Sequence, residues 1–154
     1  MSSVIVRALA GLALPLSFAA NAEQIRVEST EVRLSEMGPA VLLRVGKRAI
    51  PVFVDPVVAQ SIQGALGGQK ALRPLTHDLM HSVLTGFGAR VTQVVVTLND
   101  GIYYGELTVV MDGKTRVFDS RSSDAIALAI HAGAPILVSR ELLDQVGIEL
   151  EAKK

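Results

Sequence analysis

The chain has 154 residues, a formal net charge of zero, 49% hydrophobic residues, 4% aromatics and no cysteine. The apolar share excludes a disordered chain, and the missing cysteine excludes disulfides, a cysteine nucleophile and cysteine-ligated metal sites. Zero net charge excludes attraction to polyanions through bulk charge, so a nucleic-acid partner needs a local basic site.

The first element is an address. Arg7 supplies a basic start, Ala8 to Ala20 is uncharged and mostly apolar, and Ala20-Asn21-Ala22 precedes Glu23. This order predicts a secretory signal peptide over residues 1–22, cut between Ala22 and Glu23. The stretch is short for a bilayer span, and without cysteine it offers no lipid attachment. The expected product is periplasmic or secreted, has no membrane anchor after cleavage, and forms one domain over residues 23–154. Cleavage would also remove Arg7 and leave the mature chain marginally acidic.

Three β-type runs open that domain: Ile25 to Leu34, Val41 to Val45, and the alternating Ile50, Val52 and Val54. Gly46-Lys47 suits a type II′ hairpin turn between the second and third. Pro51 lacks a backbone donor, which predicts an edge strand or a bulge. Asp55-Pro56 then has the order of an N-cap and a first-turn proline. Val58, Ile62 and Leu66 form one helical face, and Gly67-Gly68 ends it. A basic loop, Gln69 to Arg73, leads to a second helix capped at Thr76, with Leu79, Met80, Val83, Leu84 and Phe87 as its apolar face.

The clearest β signal follows. Val91 to Leu98, Ile102 to Met111 and Lys114 to Phe118 are joined by Asn99-Asp100-Gly101 and Asp112-Gly113, which predicts an antiparallel meander. Ser122 or Ser123 caps a helix running to Ala132. It is apolar nearly all round, and so is expected in the core or in a subunit interface. A short extended segment, Pro135 to Val138, and a short helix, Arg140 to Val146, complete the chain. Strands, helices and a meander without long βαβ alternation indicate an α+β domain: antiparallel sheets packed with three to four helices.

Two groups of residues could carry chemistry. His77 and His81 lie four apart on the second helix, a spacing that suits either a metal site or a solvated face. His77-Asp78 reads either as a base beside a carboxylate or as an acidic first turn. Asp119, Arg121, Ser123 and Asp124 gather at a strand–helix junction. That group could clamp a phosphate or hold a divalent cation such as Mg²⁺ or Mn²⁺ through Asp119 and Asp124. It equally fits a capping motif locked by an Arg–Asp pair. No G-x-S-x-G and no serine triad is recognisable.

Three motifs occur in order: Arg73-Pro74-Leu75-Thr76-His77-Asp78-Leu79-Met80, Gly101-Ile102-Tyr103-Tyr104-Gly105-Glu106-Leu107, and Asp119-Ser120-Arg121-Ser122-Ser123-Asp124-Ala125-Ile126. With Ala134-Pro135-Ile136-Leu137-Val138 after them, the chain resembles the bifunctional nuclease domain family over about residues 41–143. The resemblance implies a dimeric α+β domain that hydrolyses RNA and DNA. It marks His77, Asp78, Tyr104, Asp119, Arg121, Ser123 and Asp124 as motif positions. Chemical inference then makes His77, Asp78, Asp119 and Asp124 the catalytic set and Arg73, Arg121 and Ser123 the substrate-binding set. Two departures stand out: Ser122 replaces a usual proline, and Val58 replaces a usual glutamate. A non-catalytic exported dimeric binding module on the same fold is the competing expectation, and a small-anion binder at the strand–helix junction is a third.

Overall fold

Local backbone chemistry sets the hairpins. In the computed structural model, which describes residues 23–69 and 71–150, Gly46 has φ +59° and starts the Gly46-Lys47 turn as a type II′ turn requires. Asp100 and Gly101, and again Asp112 and Gly113, have positive φ in pairs. This is the type I′ geometry whose twist matches paired strands. The expected signal peptide lies outside the described residues.

The elements are β1 (Gln24–Arg26), β2 (Ser29–Ser35), β3 (Gly38–Val45), β4 (Arg48–Phe53), α1 (Pro56–Gly67), α2 (Thr76–Gly86), β5 (Arg90–Asn99), β6 (Ile102–Met111), β7 (Lys114–Arg121), α3 (Ser122–Ala132), β8 (Ile136–Ser139), α4 (Arg140–Val146) and β9 (Ile148–Glu149). They build two sheets, β1-β8-β5-β6-β7 and β2-β3-β4-β9. All pairings are antiparallel except β5 with β8. The α+β expectation is met, with four helices among the described residues.

The run Ile25 to Leu34, expected as one strand, is two. Val27 N–H donates to Ile136 O of one sheet, and the next residue, Glu28, donates to Arg44 O of the other. The chain changes sheets across a single peptide unit. Pro51 meets its expectation: β9 pairs only with Arg48 and Ala49, so that edge of β4 is free at Pro51.

The core is aliphatic. Leu43, Ile50, Ile62, Val94, Val96, Ile126, Val138 and Leu142 are all sealed from water. α3 runs through its centre, with Ala125 to Ala129 buried and both α1 and β5 against it. Of the two environments expected for α3, it occupies the core. Gly105 on β6 makes the approach possible, because a Cβ there would lie 2.6 Å from Ala125 Cβ. On α1, Val58 and Ile62 are buried as expected, but Leu66 is exposed.

The second helix departs most from its expectation. It starts one residue early, with Leu75 as N-cap and Thr76 already helical. Its one fully buried residue is His77, whereas Leu79, Met80, Val83 and Phe87 are exposed. The face read as core-seeking points outward. Apolar periodicity identifies a stripe but not what covers it, and here α2 turns its histidine side toward α1 and α3.

Candidate functional site

β7 ends at Arg121, which is also the N-cap of α3, with an extended backbone at φ −63° and ψ 142°. The helix therefore begins at Ser122, and neither Ser122 nor Ser123, the two expected caps, caps it. Asp124 sits in the first turn, where the helix dipole favours a negative charge.

Asp124 is the hub. Arg121 Nε donates to Asp124 Oδ2 at 2.8 Å and Arg121 Nη2 donates to Oδ1 at 3.1 Å, a two-pronged guanidinium–carboxylate contact. His77 Nε2 lies 3.0 Å from the same Oδ1. Arg121 Nη1 reaches Asp55 Oδ2 at 3.5 Å. Asp55, expected only to cap α1, makes no side-chain cap there and instead joins this network. Burial pushes the Asp124 carboxyl up, but hydrogen bonds and charge from Arg121 and His77 outweigh burial and hold it below its ordinary value. The hydrogen bonds to Asp124 hold Arg121 firmly protonated. Two-thirds of the Arg121 side chain stays exposed, so the fork is held on one side and open on the other.

A second network lies behind the first. Asp78 Oδ2 accepts from Leu75 N–H at 2.8 Å and so caps α2 from its third residue. Its Oδ1 is 3.6 Å from His131 Nδ1, and His131 Nε2 is 2.8 Å from Ser61 Oγ. The rings of His131 and His81 are 6.3 Å apart. Burial pushes His131 below its ordinary value, with Asp78 opposing and His77 and His81 reinforcing the shift.

His77, Asp124 and Arg121, drawn from two groups that the sequence left separate, thus come together, and the carboxylate partner of His77 is Asp124 and not its neighbour Asp78. Asp119 stands apart. It pairs with Glu106 in the β6–β7 register, while the adjacent pair, Gly105 and Ser120, faces α3. Alternation puts Asp119 on the opposite sheet face. The expected Asp119–Asp124 cation pair is therefore not assembled, both Asp124 oxygens are occupied, and no cluster of three metal-binding side chains occurs among the described residues. Tyr104 pairs with Arg121 across β6 and β7. Ser123 is half-buried in the first turn of α3, Arg73 is exposed ahead of α2, and neither joins the network among the described residues. Arg48 on β4 is bound to Asp144 on α4 at 3.1 Å.

Sequence reading missed Asp55, Ser61 and His131. Only His131 left a signal: it is a polar residue in the last turn of an otherwise apolar helix. Ser61 is 70 residues from it in the chain, and nothing local joins them.

The bifunctional nuclease domain model matches residues 41–151. Proteins from two strains of Mycobacterium tuberculosis, both carrying the name "uncharacterized protein", are 32% identical over 128 residues, spanning 81% of this chain and 76% of their own length. No helix among the described residues is long and apolar enough to cross a membrane.

Proposed function

Because the chain belongs to the bifunctional nuclease domain family, we propose that it hydrolyses phosphodiester bonds of RNA and DNA at the β7–α3 junction. The observation that carries the reading is the Arg121 fork, anchored by Asp124 and His77 and open to water. A fixed, exposed guanidinium at a helix N-terminus suits a phosphate oxygen. Its charge is offset by Asp124 and Asp55, so a phosphate gains the guanidinium by displacing a carboxylate.

Binding would redistribute the network. A phosphate competes with Asp124 for Arg121, and the carboxylate so released accepts a proton from the attacking hydroxyl or water as its oxygen bonds to phosphorus; the P–O bond to the leaving oxygen breaks and that oxygen takes up the proton. His77, hydrogen-bonded at Nε2, stabilises the ionised partner and shares that proton. Asp78 holds the first turn of α2, and with it His77, through the Leu75 N–H. A divalent cation bound to Asp124 would have to displace Arg121 or His77, so Mg²⁺ or Mn²⁺ assistance through Asp119 and Asp124 requires rearrangement.

The proposal includes export to the periplasm or beyond and pairing with a second copy. The N-terminal pattern supports the first. The exposed apolar stripe on α2 supports the second.

The test is digestion of RNA and plasmid DNA by purified protein with Mg²⁺, Mn²⁺ or EDTA. Arg121→Lys keeps the charge but loses the fork, and should lower kcat/KM by about 10- to 100-fold. Asp124→Asn should lose more activity, and Asp119→Asn less than Asp124→Asn. Turnover that is equal in folded Asp124→Asn and parent protein overturns the reading.

One observation favours the second reading, a non-catalytic binding module. Val58, at the position where the resemblance expects glutamate, is 5% exposed in the core. That reading predicts no turnover in any metal condition, with nucleic-acid or protein binding retained.

A further inference from the structure

The second network has the connectivity of a nucleophile, a base and an orienting carboxylate. Ser61 Oγ is 2.8 Å from His131 Nε2, and His131 Nδ1 is 3.6 Å from Asp78 Oδ1. The two ring nitrogens face opposite partners, as a proton-accepting imidazole requires. The Nδ1 separation is longer than a hydrogen bond, a looseness common in ligand-free sites. Three helices supply one residue each, so none of this is visible in a local motif.

Ser61 and Asp78 border a cavity of about 270 Å³ also lined by Gln60, Gln63, Gln69 and Leu75, and His131 stands behind Ser61 outside that lining. Three glutamines bring side-chain amide N–H groups, a donor type that an oxyanion can use. Ser61 is 2% exposed, so only a small group entering through this cavity can meet its oxygen. The neutral form of His131, favoured by burial, is the form that accepts a proton.

We propose that Ser61, His131 and Asp78 form a second active centre that hydrolyses small acyl esters. Its Ser61 and His131 lie outside the Arg121–Asp124 junction, and Asp78 is the one residue it shares with the support of His77. Ser61 Oγ adds to the ester carbonyl carbon while its proton passes to His131 Nε2. The carbon–alkoxide bond then breaks with its electron pair on the leaving oxygen, which takes the proton from His131 and departs as an alcohol. Water adds to the acyl–Ser61 ester by the same route, frees the carboxylic acid and restores the Ser61 hydroxyl. Asp78 keeps the imidazole oriented and faces the charge that forms on it.

The test is covalent labelling with diisopropyl fluorophosphate, read by peptide mass mapping. The Oγ–P bond forms, the P–F bond breaks and fluoride leaves. An adduct confined to Ser61, abolished in Ser61→Ala and slowed at least about 100-fold in folded His131→Gln, supports the proposal. Absence of an adduct at Ser61, or an unchanged labelling rate in folded His131→Gln, overturns it. Where His131→Gln fails to fold, the parent protein decides alone: labelling at Ser61 only supports the centre, and labelling spread over exposed serines overturns it. Nucleic-acid digestion by Ser61→Ala should match the parent, so failure here and failure of the nuclease reading are separable.

Discussion

α2 and α3 carry apolar residues at the same helical spacing, yet α3 is enclosed and α2 wears its apolar stripe outside. The difference lies in what each presents inward. α3 offers small alanines that let β6 and α1 approach closely, and polar groups stand only at its ends: Asp124 in the first turn and His131 in the last. α2 offers His77, Asp78 and His81, and each of the two polar networks uses one of its first-turn residues. A helix recruited to hold ionisable side chains against the core gives up its apolar face to the surface.

Truncation is the strongest way to break this contrast. Ile126→Ala removes a sealed side chain from α3 and should cost about 2–5 kcal/mol in urea unfolding. Val83→Ala on α2 should stay within about 0.5 kcal/mol. Equal losses would mean that α2 is enclosed in solution. Gly105→Ala comes next, because its methyl would overlap Ala125 on the helix that carries Asp124. A loss of about 1–3 kcal/mol is expected, together with weaker phosphate binding.

Acid titration of stability sharpens the comparison within the two networks. Asp124 titrates below its ordinary 3.8 in the folded chain, so its contribution is present above that value and disappears as pH falls through the folded value. Asp124→Asn should flatten that acid limb in a pH series of unfolding midpoints. His131 shifts down from 6.5, so the unfolded chain binds its proton more readily and stability falls as pH drops below 6.5. His131→Gln should remove this limb and leave the Asp124 limb in place. The smallest effect on folding comes from Val83→Glu on the α2 stripe. Monomer stability should hold within about 0.5 kcal/mol, while sedimentation shows any dimer dissociated.

Residues that act locally were legible. Gly46, Asp100-Gly101 and Asp112-Gly113 announce their turns because positive φ selects those residue types. Pro56 and Gly68 bracket α1 for similar reasons. The junction of Arg121 and Asp124 was readable at three-residue spacing. Long-range choices were not. The pairing of His77 with Asp124 and not Asp78 depends on how α2 packs on α3, and Asp119 lost its expected partner through strand alternation. The Val27–Glu28 change of sheets left no breaker residue to betray it.

The wiring of β1 also has a kinetic consequence. Gln24 pairs with Ser139, and Arg140 N–H donates to Glu23 O, so the first described residues close on a strand more than a hundred positions away. In the second sheet, β4 likewise waits for Ile148 and Glu149. Loop closures of that span come late, after their entropy has been offset by the central meander. During synthesis the meander can form while both sheet edges stay open, and neither sheet can finish until Ser139 and, for the second sheet, Ile148 and Glu149 have been made.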